Sequence, residues 1–165
     1  MKHVFHLGRP IRVPDGTLVR SAFAGGRGEA DLSIAVGEIE PHSVSKIHLH
    51  PLVAQVAWVL SGALTVRMKD ASAREPYTLT LAVDESVVTA PRTFFQLVND
   101  TGALCRVLYI VQPAFLFVVD STGHVIYNDA VIFDEDWAAL AAAGWPRPDP
   151  APLRATRARL TAHSP

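Results

Sequence analysis

The chain has a single cysteine, Cys105, among its 165 residues, so no intrachain disulfide can form. A reducing compartment, the cytoplasm, is the setting this implies, and Cys105 reads as a small buried hydrophobe. The chain also lacks an excess of charge of either sign. Its 15 Lys and Arg residues stand against 16 Asp and Glu, and the cations are scattered, which removes the basic footprint that nucleic acid requires. No apolar run reaches the roughly 18 residues of a membrane-spanning helix. The opening MKHVFHLGRPIRV is too short in its apolar part and too broken to read as a secretory signal. What is present is a hydrophobic fraction of 49% with a mean hydropathy of +0.20, enough to exclude a disordered chain and to give one domain a real core.

Short β-type runs separated by turn residues dominate, which predicts a sandwich or barrel. The expected strands are Thr17–Phe23, Leu32–Glu40, Ser45–His50, Val53–Leu60, Ala63–Met68, Tyr77–Ala82, Ser86–Thr89, Phe94–Val98 and Leu104–Gln112. Turns fall at Gly25-Gly26-Arg27-Gly28, Pro41, Ser61-Gly62, Lys69-Asp70, Val83-Asp84, Pro91 and Asn99-Asp100-Thr101-Gly102. Connections this short favour antiparallel neighbours and leave little room for helices. After Gln112 the pattern predicts a hairpin of Phe115–Val119 and His124–Tyr127 around Asp120-Ser121-Thr122-Gly123. A short helix follows, capped by Asp134, with Glu135 and Asp136 in its first turn, Trp137, Leu140 and Ala141 on one face, and Gly144 and Pro146 ending it. Residues 1–144 thus form one domain, with its core over about 30–112 and the hairpin and helix over 113–144. The proline-rich, then basic, tail of 145–165 reads as an extended or disordered arm that could pack on a partner subunit.

Residues 48–62, HLHPLVAQVAWVLSG, carry the chemistry. Side chains at i and i+2 of a strand share a face about 6–7 Å apart, so His48 and His50 can converge on one ion, and a second strand can return Gln55 beside them. Taken alone, the pair also fits two exposed histidines on a strand edge. The spacing resembles the first motif of the cupin family: glycine, five residues, His-x-His, three or four residues, glutamate, six residues, glycine. His42 stands where the leading glycine belongs, and Gln55 replaces the glutamate. The second cupin motif runs glycine, five residues, Pro-x-Gly, two residues, histidine, three residues, asparagine. Glu85–Asp100 is similar to it, with Pro91 matching, Thr93 at the second glycine, Gln96 at the histidine, and Asn99 one residue early. Residues 115–137, FLFVVDSTGHVIYNDAVIFDEDW, resemble the ending of single-domain cupins of the 2,4'-dihydroxyacetophenone dioxygenase and acetylacetone dioxygenase type.

The resemblance implies an all-β fold, a cupin-type antiparallel β-sandwich or barrel (jelly roll) with a short C-terminal helix. It implies a divalent metal ion held by His48, His50, Gln55 and Gln96, with ferrous iron favoured and zinc, nickel or manganese as other candidates. The implied activity is non-heme dioxygenase cleavage of a carbon–carbon bond in a small enolisable or aromatic ketone. A non-redox cyclase or isomerase acting on a polyketide-like substrate, and a metal-free binding module, are the alternatives. Trp58, Phe94, Arg92 and Tyr109 are expected around the substrate, with Phe95, Phe117, His42 and Arg67 as further candidates. Phe94 and Phe95 cannot both face inward on a regular strand. His3, His6, His124 and His163 read as surface residues. The expected partners are a small molecule and a second copy of the chain, paired through edge strands, the Val4–Ile11 arm and the segment after Gln112, with neither nucleic acid nor membrane involved.

Overall fold

Apolar side chains recurring at every second position need a layer to pack against, and the computed structural model, which describes residues 4–25 and 31–162, shows two such layers. The expected turn residues Gly26, Arg27 and Gly28, and the histidines at 3 and 163, lie outside the described residues. One sheet contains β1 (Ile11–Arg12), β2 (Leu18–Ala24), β3 (Ser33–Ile39), β6 (Ala54–Ser61), β9 (Ser86–Thr89) and β11 (Cys105–Gln112), in the order β1-β2-β3-β11-β6-β9. The facing sheet contains β5 (Ile47–Leu49), β7 (Leu64–Lys69), β8 (Tyr77–Leu81), β10 (Phe94–Asn99) and β14 (Val131–Phe133), ordered β14-β5-β10-β7-β8. The two-residue strand β4 (Ser43–Val44) also pairs with β10. A separate hairpin joins β12 (Phe117–Val119) and β13 (Val125–Asn128). All of these pairings are antiparallel.

Inward positions of both sheets build the main core, including Ile39, Val53, Val59, Leu64, Val66, Phe95, Leu97 and Val107. A second cluster lies outside the β5–β10 sheet, where Ile47, Leu49 and Phe94 meet Trp137 and Leu140 of α1 (Trp137–Ala142). Strict alternation along β5 and β10 separates the two clusters: Ile47 and Leu49 point out and His48 in, Phe94 out and Phe95 in.

The structure corrects three expectations. The helix cap is Asp136, whose carboxylate accepts from Ala139 N at 2.8 Å, because β14 pairs with β5 through Phe133 and delays the helix. Asp134 instead pairs with Lys46 at 2.6 Å. The strand expected over Ser45–His50 is shorter, β5 spanning Ile47–Leu49, and the separate two-residue β4, Ser43–Val44, precedes it. Within the tail, residues 150–162 form a 13-residue helix, α2 (Pro150–Ala162), not an extended arm. None of its residues is buried, but Arg157 reaches inward to the Asp129 carboxylate and the Ala114 carbonyl. A run of alanine and arginine has enough intrinsic helix propensity to offset the opening prolines, which the first turn tolerates.

Candidate functional site

A cavity of about 300 Å³ lies between the sheets, and its walls are mostly apolar: Val13, Val19, Ile34, Leu97, Val111, Phe115 and Phe117 among them. Its polar lining includes Asp15, Thr17, His48, His50, Gln55 and Tyr109, with Ser21, Ser33 and Asn128 beside them. β5 and the residue after it deliver the histidines, both buried, with ring centroids 5.6 Å apart. The two nitrogens of His48 are differently engaged. Nδ1 donates to the Lys46 carbonyl at 2.9 Å, and Nε2 lies 3.6 Å from Asp15 Oδ2. Asp15 belongs to the turn Pro14-Asp15-Gly16-Thr17 and is held by Thr17, whose backbone N–H and hydroxyl both donate to Oδ1, at 3.0 and 2.8 Å. The Lys46 backbone N–H donates to the Asp15 carbonyl at 2.7 Å, tying this turn to the start of β5.

His50 is differently placed. Its Nδ1 is buried with no hydrogen-bond partner. Burial, and then the charge of His48, push its pKa well below the ordinary histidine value, so its imidazole stays neutral. Phe95 and Phe115 pack on it edgewise, with centroids at 5.2 and 5.3 Å. The Tyr109 hydroxyl is also buried without a partner, and burial followed by the Asp15 charge raises its pKa, keeping the phenol proton in place as a donor. Tyr109 fits because Gly37 has no side chain: a Cβ there would lie 2.3 Å from Tyr109 Cε2.

The structure thus brings together His48, His50, Gln55 and Tyr109 from the sequence candidates, with Phe117 and, against both histidines, Phe95. It separates the others. Gln96 is on the opposite face of β10, where its amide donates to the Ser45 carbonyl at 2.8 Å and accepts from Trp137 Nε1 at 2.7 Å. Phe94 is buried on that same outer face under α1. Trp58 is 42% exposed on the outside of β6, because three residues from inward Gln55 is the wrong parity. Arg92 and Arg67 lie outside the cavity, and His42 is in an exposed turn. Asp15 and Thr17 were not among the sequence candidates. The Pro-Asp-Gly signal marks a turn, but nothing local says that the turn meets a strand 30 residues later.

Backbone angles explain why Gln96 was misplaced. His42, Asp84 and Arg92 all have left-handed φ, at 53°, 70° and 69°, the region glycine enters freely. Counted from Asp84, the second motif puts a glycine-type backbone at Asp84 and Arg92, the histidine position at Phe95 and the asparagine at Asn99. Counting from Pro91 had slipped the motif by one residue, which in a strand exchanges the two faces. Asn99 fits the asparagine role: its amide donates to the Ile39 and Ala103 carbonyls at 2.9 and 2.8 Å.

The side chain at the histidine position of the second motif is therefore Phe95, not Gln96, and its ring centroid is 4.0 Å from that of His48. Among the described residues, no three of His, Cys, Asp and Glu gather where they could hold an ion. The residues present do not fit the expected site of His48, His50, Gln55 and Gln96, because Gln96 points away from the cavity and Phe95 stands in its place.

No family model matches the chain, and no curated protein matches it. Solved structures do. The CENP-C cupin domain of Drosophila melanogaster aligns with a TM-score of 0.53 at 14% identity, over 63% of this chain and 74% of that one. A Klebsiella pneumoniae protein with a double-stranded β-helix domain aligns with a TM-score of 0.53 at 14% identity, over 78% and 82%. Oxalate decarboxylase from Lactobacillus farciminis, in a formate complex, gives 0.57 at 16% identity, over 81% of this chain and 35% of that chain. These likenesses establish the fold as a cupin-type jelly roll.

Proposed function

We propose that this chain is a small-molecule-binding cupin in which an Asp15–His48 pair can take up and return a ligand proton, with no resident transition metal. The observation that carries this reading is the cavity of about 300 Å³ in which mostly apolar walls meet neutral His50, the His48–Asp15 contact and the unpartnered Tyr109 hydroxyl. Unpaired buried polar groups cost roughly 1–3 kcal/mol each, and a ligand that satisfies them recovers that cost. The fold alone does not fix function, and the reading rests on these side chains.

The chemistry follows from the tautomer. With its Nδ1 hydrogen committed to the Lys46 carbonyl, His48 has Nε2 left to accept a proton. A proton there turns the Asp15 contact into an ion pair, and the carboxylate stabilises the imidazolium. The ligand that suits this arrangement has an apolar body and a weakly acidic head, such as an enolisable diketone or a hydroxyketone. Gln55 and the Tyr109 hydroxyl, which both line the cavity, would hold its oxygens. Carbon–carbon cleavage by a dioxygenase would need the metal centre that Phe95 interrupts, so proton transfer without oxygen consumption is the favoured activity.

The test is a thermal titration with a 1,3-diketone and a hydroxyacetophenone in the presence of a chelator. We expect a saturable rise in melting temperature that His50→Gln and Asp15→Asn remove while both variants remain folded. A stabilisation that disappears when chelator is added, or metal analysis finding one equivalent of a transition ion per chain, would overturn the reading.

A further inference from the structure

The outer face of the β5–β10 sheet, on the other side from the cavity, carries a cluster of cations that the proposed ligand site does not use. Lys69 pairs in register with Phe94, is 5% exposed, and lies with its ammonium 5.4 Å from the Trp145 ring. The Trp145 and Phe94 rings meet edge to face at 5.5 Å. The Arg147 guanidinium sits 4.9 Å from Phe94, and its Nε donates to the Arg92 carbonyl at 3.0 Å. Its Nη2 is buried with no partner.

This concentration of positive charge is not paired with a carboxylate, the Lys69 ammonium donating instead to the Asp70 backbone carbonyl at 2.9 Å. No ion pair joins Lys69, Arg92 or Arg147 to a carboxylate among the described residues. Asp70 is the carboxylate whose charge reaches Arg147, but its oxygens are already engaged. Oδ1 accepts from the Ser72 N–H, the Ser72 hydroxyl and the Ala73 N–H, and Oδ2 accepts from the Tyr77 hydroxyl. Burial, then the charge of Arg92, lower the Arg147 pKa below the ordinary guanidinium range, with Asp70 opposing them only in part.

Backbone strain marks the same place. Four described non-glycine residues have left-handed φ. His42 and Asp84 are of types that tolerate it, whereas bulky residues there are outliers. The two bulky ones are Arg92, at 69°, and Trp145, at 60°, and both belong to this cluster. Strain of this kind gathers at functional sites.

We infer that Lys69, Arg92 and Arg147 form a binding site for a tetrahedral oxyanion, phosphate or the phosphoryl group of a small ester, set against the Phe94–Trp145 edge. The free Arg147 Nη2 would donate to it, and Arg92 and Lys69 would neutralise its charge. The experiment is thermal unfolding of the full chain in rising inorganic phosphate, with chloride at matched ionic strength as the reference, and repeated with phenyl phosphate to separate an ester from the free ion. The midpoint should rise saturably with phosphate and not with chloride. Arg147→Gln should raise the half-saturating concentration by about tenfold or more. Arg92→Gly should also lose the response while unfolding no earlier than the parent, since glycine suits the backbone there. Equal responses to phosphate and chloride, or a phosphate response that survives both substitutions, would overturn the assignment.

Discussion

His50 sets the pH response. Its imidazole is buried beside Phe95 and Phe115, and its pKa is lowered by that burial first and by His48 second. An unfolded histidine takes its proton near pH 6.5, whereas the folded one resists it. Above about pH 6.5 both states are neutral at this position, and stability does not depend on pH through it. As pH falls below that value, the unfolded state gains the extra proton and stability is lost, by up to about 1.4 kcal/mol per pH unit until the folded pKa is reached. Urea midpoints at pH 7.5, 6.5 and 5.5 should therefore fall below pH 6.5 in the parent and fall less in His50→Gln. Parallel curves would show that the acid sensitivity arises elsewhere. The residue scale also shows what was legible in the sequence. His48, His50 and Gln55 announce themselves by spacing, and Tyr109 only as a polar group able to reach a cavity. Asp15 does not, because its meeting with His48 is made by tertiary structure alone.

The elements were easier to read than their registers. Ser86–Thr89 agrees with β9 at both ends, and most other strands are displaced by one or two residues, because alternating burial is a direct consequence of layer packing. The short strands Ile11–Arg12 and Val131–Phe133 were not anticipated, since two or three residues carry too little pattern to be distinguished from a loop. α2 was missed for another reason: with no buried residue, it leaves no apolar stripe to read. It is held instead by a charge. Arg157 pairs with Asp129, whose side chain is fully buried and also accepts from the Leu116 N–H at 2.7 Å and the Tyr127 hydroxyl at 2.8 Å. Removing the partly exposed Arg157 leaves the buried Asp129 carboxylate uncompensated, at a cost of up to about 3–5 kcal/mol. Arg157→Ala should destabilise the chain by roughly that amount in urea unfolding and speed amide exchange throughout α2. A loss under about 0.5 kcal/mol, the range of ordinary surface changes, would mean that the helix contributes nothing through this contact. Asn128 and Ala130, on either side of Asp129, line the cavity, so weakened ligand binding in the same variant is expected.

At the scale of the whole molecule, the two sheets divide labour. The space between them holds the proposed ligand, and the outer face of one of them holds α1 and the cation cluster. Part of the exposed apolar surface lies at the edges of the six-stranded sheet and in the N-terminal arm. Val4, Phe5 and Leu7 are exposed in the N-terminal arm, Ile11 on β1, and Val88 on β9, which ends the six-stranded order opposite β1. Exposed apolar edges of this kind invite a second copy. We expect sedimentation velocity at micromolar concentration to report a dimer, and Phe5→Ser with Ile11→Ser to shift it toward monomer. A monomeric parent would refute this.

Phe95 carries a consequence for design. It occupies an inward position with its ring 4.0 Å from His48 and 5.2 Å from His50, centroid to centroid, so a side chain at 95 lies against both imidazoles. Phe95→His should create a three-imidazole site with one codon's worth of change. We expect the variant to bind cobalt(II) with visible ligand-field absorption that the parent lacks. A colourless variant would mean that the histidines are held too far apart to share one ion. A coloured one would give a matched pair of barrels, with and without a metal, in which the same cavity can be compared for what an ion adds.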